Sequence, residues 1–111
     1  MEVKNNRILF RVDGGKTIGL GHVVRCLALA DLLKTKFEII FVLQETAKDV
    51  IDLIESKSYS IISIPFIDDY TMDNQNFIKY IQSNDIVVLD GYHFKTDYQK
   101  TIKNKGCKLV V

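Results

Sequence analysis

Solid apolar runs and helical stripes alternate along this chain. Ile8 to Val12, Glu38 to Leu43, Tyr59 to Ile64, Asp85 to Asp90 and Cys107 to Val111 are short, apolar and rich in β-branched residues. Glycine, proline or polar residues bound most of them, so they read as strands. Between them the apolar positions follow a helical period. From His22 onward Val23, Cys26, Leu27, Ala30 and Leu33 form one stripe, which Val24, Leu29 and Leu32 are expected to widen. Lys34 to Lys36 suits the C-terminal end of that helix. Thr46 is placed to cap a helix over Ala47 to Ser56, where Val50, Ile51 and Ile54 share a face. Asp68 to Asn74 reads as an acidic loop, with Asp73 or Asn74 capping a helix that carries Phe77, Ile78 and Ile81. Thr96 or Asp97 opens a weaker amphipathic helix.

The predicted order is β-α-β-α-β-α-β-α-β. Strands that are apolar throughout and separated by helices imply a parallel sheet covered on both faces. With right-handed crossovers this is an α/β, doubly wound, Rossmann-like fold. In the Rossmann strand order the fourth strand lies beside the first, where the winding reverses. That adjacency brings Asp90, Gly91, Tyr92 and His93 to the same crevice as Asp13 and His22.

The link between the first strand and the first helix carries the candidate chemistry. Asp13-Gly14-Gly15 ends the strand and Gly19-Leu20-Gly21-His22 leads into the helix. Four glycines let the backbone turn tightly and let a ligand approach it. The helix N-terminus adds unpaired N–H groups and a partial positive charge. His22 stands at that mouth, where the dipole is expected to favour the neutral imidazole that a general base requires. Arg25, one turn on, is placed either to meet an anionic group or to stand as an exposed helix arginine. Asp13 either orients His22 or the substrate, or closes the loop as an Asx-turn. Arg11, a cation inside a buried strand, must pair with an acid, and Asp90 is the expected partner. That role is structural rather than catalytic. For His93 a place in the cleft and a plain surface position are equally open.

Three phosphate motifs fail on inspection. Gly15-Lys16-Thr17 resembles the tail of a P-loop, but Phe10 takes the place of its leading glycine. Gly19-Leu20-Gly21 begins a dinucleotide fingerprint whose third glycine is Val24, leaving Glu45 as a weak ribose-binding acid. A receiver domain needs paired acids after the first strand, and here Asp13 precedes two glycines.

At 111 residues, 47% hydrophobic and 26% charged, the chain fits one globular domain spanning residues 1–111. A net charge of +1 without basic clusters gives no electrostatic case for nucleic acid. No apolar run is long enough to span a bilayer, and a cytoplasmic location is expected. Cys26 and Cys107 lie far apart without a CxxC spacing and read as buried thiols. Because Lys108 to Val111 stops inside a predicted strand, the sequence is expected to be a domain of a longer protein.

Arg11-Val12-Asp13, Ile18-Gly19-Leu20-Gly21-His22 and Arg25-Cys26-Leu27-Ala28-Leu29-Ala30 closely resemble the start of the nucleotide-sugar hydrolases of pseudaminic acid biosynthesis. These are the UDP-2,4-diacetamido-2,4,6-trideoxy-β-L-altropyranose hydrolases and the related spore coat polysaccharide proteins. Val87-Val88-Leu89-Asp90-Gly91-Tyr92 is similar to their strand ending in Asp-x-Tyr. Gly91 and His93 depart from the histidine and glycine that flank that tyrosine in the family. The resemblance implies the N-terminal half of a GT-B fold, with a C-terminal domain of the same protein holding most of UDP. It implies cleavage of a UDP-sugar at the anomeric carbon, without metal or cofactor, to UDP and free sugar. His22 matches the family's activator of the attacking water. The candidate substrate contacts are Asp13, Gly19, Gly21, Arg25, Asp90 and Tyr92. A GT-B glycosyltransferase, whose N-terminal domain binds an acceptor, and a non-catalytic binding module are the alternatives.

Overall fold

The computed structural model describes residues 6–12, 21–44, 48–65, 70–90, 94 and 96–110. Among them the order is β1 (Arg7–Val12), α1 (Gly21–Leu33), β2 (Glu38–Gln44), α2 (Lys48–Glu55), β3 (Ser60–Ile64), α3 (Tyr70–Ile78), β4 (Ile86–Asp90), α4 (Thr96–Lys103) and β5 (Lys108–Val110). All four pairings are parallel, in the strand order β3-β2-β1-β4-β5. The fold is α/β, doubly wound and Rossmann-like. Its winding reverses between β1 and β4, the place where such sheets open a crevice at their carboxyl ends.

Strand periodicity divides the core into two layers. Ile8, Phe10 and Val12 of β1 pack with Val23, Cys26, Leu27 and Ala30 of α1 and with Val50 and Ile54 of α2. Leu9 of β1 points the other way, toward Phe77 of α3 and Tyr98 and Ile102 of α4. Phe10 and Phe41 stack across β1 and β2 with ring centroids 5.0 Å apart. At the amino end of the sheet, Arg7 donates to Asp85 through Nε at 3.0 Å and Nη2 at 2.7 Å, tying the starts of β1 and β4 together. Gly106 takes a left-handed φ of 84° in the turn from α4 to β5, a conformation glycine adopts without steric cost.

Three expectations change. Val24 and Leu32 do not widen the buried face of α1: they are 53% and 79% exposed, because only the side bearing Val23, Cys26, Leu27 and Ala30 meets the sheet. Leu29 is exposed as well. The loop expected up to Asn74 gives way to helix from Tyr70, and Asp73 and Asn74 are buried inside α3 rather than capping it. Tertiary partners there override the local preference of Asp and Asn for helix ends. Cys26 is buried and Cys107 only half-buried, and both are free thiols. The proposed cap Thr46 lies outside the described residues.

Among the described residues no helix is long and apolar enough to cross a membrane.

Candidate active site

The register of β1 and β4 decides which charged side chains can meet. Arg11 stands opposite Leu89, and Val12 opposite Asp90. Side chains alternate along a strand, so Arg11 and Asp90 emerge on opposite faces of the sheet. The expected Arg11–Asp90 pair therefore does not form. Arg11 turns to the α3–α4 face, where its Nη2 donates to Asp73 Oδ2 at 2.8 Å, both side chains being fully buried. Gln44 Nε2 donates to the same oxygen at 2.6 Å, and the Tyr98 hydroxyl donates to Asp73 Oδ1 at 2.6 Å. The Arg11 guanidinium also lies over the Phe94 ring, 5.1 Å from its centroid. Burial pushes the Tyr98 hydroxyl far above the ordinary phenol range, so it remains a donor.

Asp90 emerges on the α1 face, at the carboxyl end of β4, where it meets the first turns of α1. Its Oδ1 lies 2.7 Å from His22 Nδ1. Arg25 Nε donates to Oδ2 at 2.9 Å, Arg25 Nη2 donates to Oδ1, and the Cys26 thiol donates to Oδ2 at 3.5 Å. Three side chains from one helix thus converge on a single carboxylate. His22 and Arg25 do so because residues three apart lie on the same side of a helix.

These contacts favour one imidazole tautomer. Asp90 as a carboxylate only accepts, and Arg25 only donates. Arg25 Nη2 is also 2.9 Å from His22 Nδ1. Nδ1 cannot donate to Asp90 and accept from Arg25 in one tautomer. The closer carboxylate contact prevails: Nδ1–H donates to Asp90, and Arg25 Nη2 is near that nitrogen because both donors reach the same oxygen. In the neutral ring that tautomer puts the lone pair on Nε2, the nitrogen turned away from Asp90.

Burial alone would raise the Asp90 carboxyl, but hydrogen bonds from Arg25, His22 and Cys26 and the charge of Arg25 outweigh it and hold it below the usual carboxylate range. Burial, then the Asp90 charge, pushes the Cys26 thiol up to about 12, which keeps it a thiol and a poor nucleophile. Among the described residues no group of three or more His, Cys, Asp or Glu side chains is placed to hold a metal ion.

Of the residues singled out by sequence, the structure brings together His22, Arg25 and Asp90, with Gly21 at the start of α1. A Cβ built on Gly21 meets nothing within 4 Å, so the backbone there borders open space. Asp13, Gly19, Tyr92 and His93 lie outside the described residues. Sequence reasoning missed Cys26 as a donor to Asp90. Its position one after Arg25 on the buried stripe was the only signal.

No family model matches the chain, and no solved structure matches it. The chain is similar to an uncharacterized protein of Methanocaldococcus jannaschii, 33% identical over 109 residues, covering 94% of this chain and 21% of that protein. The chain therefore spans about a fifth of the length of the curated relative it matches.

Proposed function

We propose that this chain is the N-terminal domain of a nucleotide-sugar hydrolase that cleaves a UDP-sugar at the anomeric carbon. The observation that carries the reading is the 2.7 Å contact between His22 Nδ1 and Asp90 Oδ1, at the carboxyl end of β4 where the winding of the sheet reverses. An imidazole held by a carboxylate on one nitrogen presents a basic nitrogen on the other, and the carboxylate stabilises the imidazolium that forms. In this reading His22 Nε2 takes a proton from water as the water oxygen bonds to the anomeric carbon. The bond from that carbon to the phosphate oxygen breaks, its electrons leave with UDP, and free sugar remains. N–H groups at the start of α1 favour the anionic leaving side, and a second α/β domain holds most of UDP. The resemblance of residues 11–30 to nucleotide-sugar hydrolases supports the substrate class, and the fold suits one half of a GT-B enzyme.

The test is UDP release from UDP-sugars by the protein carrying both domains, with and without an acceptor alcohol. His22→Asn is expected to lower kcat by about 10²–10⁴-fold, the usual loss with a general base, at little change in KM. Release that requires an acceptor would assign the site to a glycosyltransferase, with a hydroxyl in place of water. Near-normal kcat in His22→Asn would remove His22 as the base, and ligand binding without turnover would make this a binding module.

A further inference from the structure

We infer that Arg25 is a positioning residue that locks Asp90 onto His22, rather than the residue that grips the anionic part of the substrate. The inference rests on the reading of His22 as the base. Arg25 uses two nitrogens on both oxygens of Asp90: Nε to Oδ2 at 2.9 Å, and Nη2 to Oδ1. That same Oδ1 accepts from His22 Nδ1. The carboxylate torsion of aspartate is broad and roughly two-fold, so a single hydrogen bond from histidine leaves the group able to swing. A planar guanidinium engaging both oxygens removes that freedom and keeps Oδ1 in the plane where the imidazole needs it. The two donors are three residues apart on α1, so the helix sets their spacing before Asp90 arrives from β4. Cys26, from the buried side of the same turn, adds a third restraint on Oδ2.

This assignment separates Arg25 from a substrate-binding arginine by geometry rather than charge. A lysine there keeps the positive charge near the crevice, but it is a single point donor and cannot engage both oxygens in one plane. If Arg25 bound the substrate's anionic group, lysine would restore most of the function and the loss in an uncharged variant would fall on KM. As a positioning residue, Arg25→Lys and Arg25→Gln are both expected to fall in kcat, by about a hundredfold, the loss typical of a misplacement near 1 Å, with KM little changed. The Arg25 side chain is 67% exposed, so neither variant is expected to disturb the core.

A second measurement reads the arrangement without any substrate. In the 111-residue chain, the ¹⁵N shifts of the His22 ring above its titration range are expected to show the Nδ1–H tautomer as the major form. Arg25→Lys is expected to return the ring toward the Nε2–H form that free histidine prefers. An Nε2–H ring in the native chain, or an unchanged tautomer in Arg25→Lys, would overturn the inference. So would rescue of kcat by lysine. Loss of the tautomer signature in a protein that turns over no nucleotide sugar would uphold the positioning role and refute the proposed function instead.

Discussion

The sheet carries an arginine–aspartate cluster on each face, and the two are built for different ends. On the α3–α4 face, Arg11 and Asp73 are fully buried and surrounded by Gln44, Tyr98 and Phe94. On the α1 face, Asp90 is 14% exposed and Arg25 is 67% exposed, with His22 beside them at 19%. The first cluster fills both oxygens of Asp73 from within the protein and fastens α3 and α4 to β1 and β2. The second spends Asp90 on orienting a ring whose other nitrogen is turned away from it. A charged pair in an α/β fold is therefore read by what its remaining atoms face. Full burial marks architecture, and a carboxylate that orients a partly exposed imidazole marks a candidate for chemistry.

That contrast breaks first, if it breaks at all, at Arg11. Removing it is expected to cost about 3–5 kcal/mol, since Asp73 would be left as a buried charge without its counter-ion. Urea unfolding of Arg11→Ala measures this, and an unchanged midpoint would show that the closed cluster is not structural. Replacing both members, as Arg11→Met with Asp73→Leu, is not expected to restore stability. Gln44 and Tyr98 lose their shared acceptor, at about 1–3 kcal/mol for each buried donor left unmade.

Asp90 should behave otherwise. Asp90→Asn is expected to cost about 1 kcal/mol or less in stability, because the pair is half in solvent. Its pH dependence has a definite sign. The folded carboxyl lies below its unfolded value, so its contribution is complete above about pH 4 and is lost as pH falls through the folded pKa. Thermal unfolding should thus show the gap between native chain and variant closing as pH falls below about 4. A gap that persisted undiminished in strong acid would contradict the arrangement of donors around Asp90.

The smallest effect is expected at Gly21. Alanine there adds a methyl to open space and improves helix propensity, so stability should rise by about 0.5 kcal/mol or stay level. If a ligand approaches that backbone, the same methyl weakens its binding, which titration with UDP-sugar on the protein of the proposed function measures. Unchanged affinity would place the ligand away from the start of α1.

Much of this architecture was legible in the sequence because it rests on local period. The apolar runs at Ile8 to Val12 and Asp85 to Asp90 gave their strands, and the stripe from Val23 to Ala30 gave the buried side of α1. The neighbourhood of His22 and Asp90 followed once β4 was set beside β1. The partner of Arg11 was not legible, since Asp73 and Gln44 are joined to it only through tertiary structure. Asp73 lies in a polar stretch whose composition favours a loop, and no local pattern reveals that three buried donors are waiting for it. The parity of β4 was the usable clue. Asp90 alternates with Leu89, and the strand register alone puts it on the face away from Arg11.

The place of β1 in the sheet also orders events during synthesis. β1, β2 and β3 emerge first and can pair in succession, but the other edge of β1 waits for Ile86 to reach Ile8. Until then the nascent chain presents an apolar strand edge, open to pairing with other chains. Parallel pairing over so long a loop is slow, so docking of β4 is the expected late step of folding. His22 and Arg25 acquire Asp90 only at that step. The His22–Arg25–Asp90 cluster is assembled by the event that closes the last vulnerable edge of β1, and a half-made chain carries the histidine without the carboxylate that orients it.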